Sequence, residues 1–367
     1  MIDAERLART FVELCRIPSP SGQEGALAAY VRARVEALGL DVTEDDAGQA
    51  LGSDTGNLIV HTEGVGEPFF LTAHMDTVPP KPLDGQVPVI VEGDRVHTGG
   101  RSILGGDDKA GVAVALEMLR LAKAHTARPL DVVFTIQEEQ GARGAAHLAA
   151  EHLRARMGFV LDGDTPVGVA IRRSPHKARY YITVKGRAAH AALNPQDGIN
   201  AIAAAGAIAA TLPTSKLDEL SIANIGRIEG GGAINVVPER AELIGEVRSL
   251  EQDALDALKV RIEALAQEQA RAYGASAEVR WEALYPGYAV AENAPIARLF
   301  AEACAAEGVE AAFESTYGGG DANPLNGRGL SCVVFGLGMQ AIHSPQEFIL
   351  LSDLVRAARI LWQALRV

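Results

Sequence analysis

The sequence predicts an α/β protein with a mainly parallel mixed sheet, helices on both faces, and an inserted α+β domain. Three observations predict it. Apolar, β-branched runs alternate with helical periodicities over residues 1–173. Between 174 and 284 the order becomes β-α-β-β-α-β, that of a ferredoxin-like split βαβ unit. From Pro286 the alternating style resumes. A chain of 367 residues exceeds what one hydrophobic core usually serves. Residues 1–173 and 285–367 are therefore expected to form one domain, with 174–284 as a second.

The elements follow in order. Leu7, Phe11, Val12, Leu14 and Cys15 mark a helix over 3–16, stopped by Pro18 and Pro20. A second helix runs from Glu24 to Leu38 and closes at Gly39. Strands are expected at 56–61 and 68–73, the latter running into His74-Met75-Asp76. A loop rich in Pro and Gly leads to Gly106-Asp107-Asp108-Lys109-Ala110-Gly111, which opens an apolar helix from Val112 to about Ala124. The run 131–136 reads as a buried strand ending in Glu138-Glu139, and a helix is expected near 145–156. The strand 157–161 then ends at Asp162. In the insert, Tyr180, Ile182 and Val184 alternate against Arg179, Tyr181 and Thr183, as in a half-buried strand. A helix at 197–211, strands at 221–229 and 239–248, a helix at 253–273 and a strand at 277–282 complete it. The last segment offers a helix at 294–306, the loop Tyr317-Gly-Gly-Gly-Asp321, a strand at 331–335, Ile342-His343, and a final helix.

Composition narrows the function. At 48% hydrophobic and 22% charged, the chain reads as an ordinary soluble globular protein. A net charge of −13 argues against nucleic acid or an anionic membrane surface as the main partner, and suits binding of cations. Cys15, Cys304 and Cys332 are far apart and form no CxxC pair, which fits a reducing compartment. The first residues carry no basic-then-apolar leader, and the small-apolar run at 201–212 is too short to span a bilayer. A cytoplasmic location is expected.

The chemistry lies at element ends. His74, Glu138, Glu139 and Asp162 each follow an apolar strand, and Asp107 stands at the mouth of a helix. Ligand-binding residues of α/β sheets gather at the carboxyl ends of strands. Two metal ions about 3.5–4 Å apart need a shared carboxylate and a few N/O ligands each. His74 and His343 supply imidazoles, Glu139 and Asp162 one carboxylate each, and Asp107 is the natural bridge. Asp76, two residues after His74, is placed to orient its ring. This set suits two zinc ions, with cobalt or manganese as substitutes. Taken singly, each part has a plainer reading: Asp107 as a helix cap, Asp162 as a turn residue, His343 as a packed histidine. No GxxxxGK[ST] and no GxGxxG with an acidic partner supports a nucleotide site.

In this order, His74-Met-Asp76-Thr-Val, Gly106-Asp-Asp-Lys-Ala-Gly111, Glu138-Glu139, Leu161-Asp162-Gly163 and the late His343 resemble the dinuclear zinc peptidases and aminoacylases. Ser315-Thr-Tyr-Gly-Gly-Gly-Asp321-Ala-Asn323 and Ile342-His343-Ser-Pro-Gln-Glu347-Phe look most like the peptidase T (tripeptide aminopeptidase) branch. The resemblance spans nearly the whole chain. It implies one zinc on His74 and Asp162, the other on Glu139 and His343, a bridging Asp107 with a cis bond to Asp108, and Glu138 as general base. It also implies that the insert is a lid and dimerisation domain. His190 would reach a partner subunit's active site, Asn235 and Arg248 would bind substrate, and Gly319, Asp321 and Asn323 would line the substrate loop.

A homodimer acting on short peptides is thus expected, cleaving from the N-terminus, since Asp at the third ligand position accompanies aminopeptidases in the family. The alternative is a carboxypeptidase or an N-acyl-amino-acid amidohydrolase of the same superfamily. A sister group places its insert between the first His and the bridging Asp. Here only 33 positions separate His74 from Asp107, which disfavours that arrangement. A non-catalytic metal- or peptide-binding module would have lost a ligand or the base, and none is missing. Strand side chains alternate, so Glu138 and Glu139 can serve one centre only if the strand ends there. The Gln140-Gly141 turn is expected to end it. The histidines at 61, 97, 125, 147, 152 and 176 match no ligand position and are expected at the surface or in packing.

Overall fold

The computed structural model describes residues 2–80 and 86–367. Residues 81–85, part of the expected Pro- and Gly-rich loop, lie outside the described residues. The chain divides into two compact units, Met1–Arg173 with Ala289–Val367, and Ser174–Tyr288.

In the first unit, apolar strands stack into a nine-stranded sheet. Its order runs Val42–Glu44, Leu58–His61, Leu130–Thr135, Phe69–His74, Met157–Gly163, Ser331–Gly336, Val169–Ser174, Tyr288–Ala289, with Ala312–Ser315 beside Val169–Ser174. Phe69–His74 pairs in parallel with Leu130–Thr135 on one side and Met157–Gly163 on the other. Three chemistry-bearing strand ends are therefore brought to one edge. Every residue of Phe69–His74 and Leu130–Thr135 is buried, as strands covered on both faces require. Helix Gly106–Ala124 packs across these strands, and nearly all of its side chains are buried. Beneath the sheet, Phe159 stacks edge-on against Phe69 at 5.1 Å and Phe335 at 5.4 Å, and Phe300 meets Phe335 at 5.3 Å. Such pairs add about 0.5–1.5 kcal/mol each beyond burial and hold neighbouring strands in place.

Some expectations differ in extent. The helix expected at 145–156 is a short Arg143–His147 turn followed by a 3-10 turn at Ala150–His152. Three strands the sequence did not signal, Ile90–Glu92, Arg95–His97 and Phe348–Leu350, form a small separate sheet.

The second unit has strands His176–Lys185, Ser221–Gly230, Arg240–Ser249 and Ser276–Tyr285 with helices Ala201–Thr211 and Gln252–Ala272. His176–Lys185 lies between Arg240–Ser249 and Ser276–Tyr285, all antiparallel, with Ser221–Gly230 outside. That is the strand order of a ferredoxin-like unit. Tyr180, Ile182 and Val184 face its core with Ile208, Leu243 and Ile262, because the strand alternates as its sequence does. Among the described residues no helix is long and apolar enough to cross a membrane. The three cysteines are buried and unpaired.

Candidate metal centre and active site

His74 is the last residue of its strand and is 2% exposed. Its Nε2 lies 2.9 Å from Asp107 Oδ1 and 3.5 Å from Asp162 Oδ1. The other oxygen of Asp107, Oδ2, lies 3.0 Å from His343 Nε2, which is itself 2.9 Å from Glu139 Oε1. One carboxylate thus serves two groups of donors, His74–Asp107–Asp162 and Asp107–Glu139–His343. Glu138 lies against them and, with Glu139 and His74, forms a third close grouping. The peptide bond between Asp107 and Asp108 is cis.

Buried carboxylates hold the backbone of the segments that carry these side chains. Asp108 Oδ2 accepts the His74 N–H at 3.0 Å and Oδ1 that of Gly111 at 3.0 Å. Gly111 must be glycine, since a Cβ there would come 2.1 Å from the Leu161 carbonyl oxygen. Asp76 accepts the N–H groups of Glu138 (2.9 Å) and Glu139 (3.1 Å) and the Ser21 hydroxyl (2.7 Å). Glu24 accepts the N–H of Gln137 at 3.1 Å.

Two expectations change here. Asp76 does not hold the His74 ring chiefly through its carboxylate, which is 3.5 Å from Nδ1. The Asp76 carbonyl oxygen is at 2.9 Å and holds the ring instead. The carboxylate is occupied in aiming the Glu138–Glu139 turn. That turn also begins earlier than expected: the strand stops at Thr135, and Gln137 at φ +51° swings the chain around before Glu138. A non-glycine residue there costs on the order of 1–3 kcal/mol, met by hydrogen bonds that over-determine the turn. The Gly141 and Ala142 N–H groups then close back onto the Glu138 carbonyl at 2.7 Å.

The loop expected to line the substrate is held by its own side chains. Asp321 is 1% exposed and accepts the Thr135 hydroxyl at 2.5 Å, while Asn323 Oδ1 accepts the Gly320 N–H at 3.0 Å. Both side chains hold the loop. Its inward point is Gly320, next to Gly319, where a Cβ would sit 3.0 Å from Glu138 Oε1 and 3.3 Å from Asp162 Oδ2.

In the second unit, exposed His190 follows the Lys185 end of its strand, and its Nδ1 accepts the Ala192 and Leu193 N–H groups at 3.2 Å. Asn235 is beside it, its carbonyl accepting the Ala191 N–H at 2.9 Å. Arg248 is not. It pairs with Glu246, which also holds Lys177 at 2.9 Å, at the opposite end of the sheet. Eight residues of strand separate Arg248 from Arg240, the partner of Lys185; at ~3.4 Å per residue that is roughly 27 Å.

The electrostatics are those of crowded acids. Burial opposes a charge on His74, but Asp162, Asp107 and Asp76 outweigh it and raise its pKa well above the usual imidazole value. Asp107 and Glu139 raise His343 to about 10. Asp107, though buried, is held below the ordinary range by the two imidazoles. Burial pushes Glu138 well above that range, with Asp162, Asp321 and Asp76 adding to it. Asp162 rises to about 7, although His74 faces it, because burial outweighs an attraction acting over 3.5 Å.

Buried carboxylates at this density need a cation. Glu139 Oε1 is buried and has no hydrogen-bond partner, although His343 Nε2 is 2.9 Å away. Tetrahedral donors ~2.0 Å from an ion stand ~3.3 Å apart, so converging atoms that do not hydrogen-bond suit shared ligands. The donor set fits metal ions.

Comparison with known proteins decides the family. The model of Peptidase family M20/M25/M40 matches residues 70–367. The chain belongs to this family. It is 34% identical to an uncharacterized protein, YqjE, of Bacillus subtilis (strain 168), over 98% of this chain and 97% of that protein. It is 29% identical to acetylornithine deacetylase of Myxococcus xanthus over 98% and 96%. Among solved structures, a tripeptidase from Staphylococcus aureus subsp. aureus Mu50 aligns with TM-score 0.92 and 31% identity over 99% of this chain and 98% of that one. Aminopeptidase PepT from Bacillus cereus ATCC 10987 gives 0.89 and 30% over the same shares. The M20 fold and the peptidase T-like resemblance are both upheld, and the protein is a hydrolase of this family.

Glu24 and the motif residues Asp108 and Glu347 also hold the site, through backbone hydrogen bonds that the sequence does not signal. Each is an acidic residue beside a turn, where a solvated carboxylate is the usual outcome.

Proposed function

We propose that this M20 hydrolase is a two-zinc exopeptidase that removes N-terminal residues from short peptides. The single observation that carries the reading is Asp107, whose two oxygens face separate His–carboxylate groups with Glu138 alongside. His74 and Asp162 would hold one ion, Glu139 and His343 the other, and Asp107 both; cobalt or manganese would substitute. Ions bound there would lower the pKa of a shared water toward neutrality and polarise the scissile carbonyl. Glu138 takes the proton of the attacking water and returns it to the departing amine.

His190, from a second subunit, would donate to the oxyanion, and Arg248 and Asn235 would bind the substrate. The length of strand between Arg248 and Arg240, whose partner Lys185 leads to His190, supports a homodimer formed through the inserted domain, with each site drawing on both chains. The tripeptidase and PepT likenesses favour cleavage from the N-terminus. The deacetylase relative favours a second reading, an amidohydrolase of N-acyl amino acids, and a carboxypeptidase G2 relative, 28% identical over 71% of this chain, favours its carboxypeptidase form. Zinc-loaded protein should release the first residue of a free-amine tripeptide and spare its N-blocked form. Cleavage of the blocked peptide alone would replace the first reading with the second.

A further inference from the structure

Glu347 lies four residues after His343 and is 1% exposed, with no part in the donor groups described above. Its Oε2 accepts the N–H groups of Leu104 (2.7 Å) and Gly105 (2.9 Å), and its Oε1 accepts that of Asp107 at 3.1 Å. The backbone of residues 104–107 thus wraps one carboxylate as a nest of N–H groups wraps an anion. Gly106 leaves room for it: a Cβ there would stand 3.2 Å from Oε1.

The loop that carries Glu347 is pinned at its base. Gln340 and Phe348 exchange backbone hydrogen bonds at 3.0 and 3.1 Å, and Phe348–Leu350 pairs with Arg95–His97. Inside it, Ala341 and His343 adopt φ of +51° and +60°, a left-handed conformation that non-glycine residues keep only when held. The Ser344 hydroxyl on the Ala341 carbonyl, at 2.7 Å, and the Glu347 N–H on the Ser344 carbonyl, at 3.1 Å, hold it. One side chain therefore ties the loop bearing His343 to the backbone of Asp107, more than two hundred residues away in sequence. His343 and Asp107 are the two residues whose separation the second donor group requires.

We propose that Glu347 is a positioning residue of the metal centre, setting the distance between Asp107 and His343 without contacting an ion. The inference rests on the two-metal reading above. Two substitutions test it: Glu347→Gln keeps the shape but turns one acceptor into a donor facing N–H groups, and Glu347→Asp keeps both acceptors one methylene shorter. Cobalt is the probe, read by its visible absorption and by competition with a chelator.

Glu347→Gln should bind one cobalt equivalent about 10–100-fold more weakly and alter the absorption band. It should also lower kcat by a similar factor with KM nearly unchanged, and Glu347→Asp should recover part of each loss. A Glu347→Gln protein with unaltered cobalt affinity and spectrum overturns the proposal, whatever its melting temperature. If that variant does not fold, Glu347→Asp and hydrogen exchange in the unsubstituted protein decide. The amides of Leu104, Gly105 and Asp107 should then be protected, and exchange as fast as in an open loop overturns the proposal. Failure of the unsubstituted protein to bind cobalt would instead sink the two-metal reading on which this one stands.

Discussion

The two units treat their carboxylates in opposite ways. On the inserted sheet, acids are matched by cations in exposed or half-buried pairs: Glu278 with Lys185, Glu282 with Arg179, Glu246 with Lys177 and Arg248. At the strand ends of the first unit, Asp107, Asp108, Glu138 and Asp321 are nearly fully buried around His74. Lys109, buried beside them, donates to the Ile17 carbonyl at 2.6 Å rather than to an acid. Exposed pairs contribute little to stability, so the first arrangement amounts to a solvated face. Buried acids without counter-charge are costly, and a fold keeps them only where something else compensates. The contrast distinguishes a functional cluster from surface charge by its energetic expense.

The largest effect expected from this contrast is at the base. Glu138→Gln should lower kcat by about 10²–10⁴-fold while metal content stays the same. A variant with full metal and full activity would remove Glu138 from the mechanism.

Next is the response of metal-free protein to pH. Asp162 and Asp321, at about 7 and about 6, hold protons in the folded state that the unfolded chain releases near pH 4. The stability they contribute is present below that pH and lost as pH rises through 6 to 7. His343 acts in the same direction, with stability lost as pH climbs from 6.5 toward its folded value of about 10. Asp107, whose pKa is depressed, acts oppositely, but only in acid. Chelated protein should therefore be less stable to urea at pH ~8 than at pH ~5.5, by on the order of 2–3 kcal/mol from the two buried acids at ~1.4 kcal/mol per pKa unit, exposed His343 adding little because solvent screens it. Zinc at ~100 times its Kd should restore about 2.7 kcal/mol. Equal stability at both pH values would mean the acids are not crowded as described.

A smaller effect is expected at Gly320. Gly320→Ala places a methyl against Glu138 and Asp162. It should lower kcat by roughly 10–100-fold with little change in melting temperature. Unchanged kinetics would show that the loop has room to withdraw. The smallest effect belongs to the other region: Glu282→Ala should cost about 0–1 kcal/mol in chemical unfolding. A greater loss would show the inserted face to be more than a solvated one.

Much of the fold was legible because its signals are local. Runs such as Val132-Val133-Phe134 and the alternation Tyr180-Ile182-Val184 announce buried and half-buried strands by period alone. The strands Val42–Glu44 and Ile90–Glu92 were not legible. They are three residues long and partly exposed, and pairing alone defines them. In the candidate site, residue types that few other roles require at a strand end, His74 and Asp162, could be picked out. The role of acids that work through backbone hydrogen bonds could not: Glu24 looks like any polar turn residue, and Glu347, though part of a motif, shows no task until the turns they hold are in place.

The sequence by itself determined the α/β layering, the ferredoxin-like insert and the set of donors gathered at strand ends, since these follow from hydrophobic period and side-chain chemistry. Only the tertiary structure decided how those donors aim. The Gln137 turn, the Asp76 clamp on Glu138 and Glu139, and the tie from Glu347 to Asp107 join segments distant in sequence. Hydrogen-bond partners are chosen by proximity in space, and a linear pattern does not record that proximity.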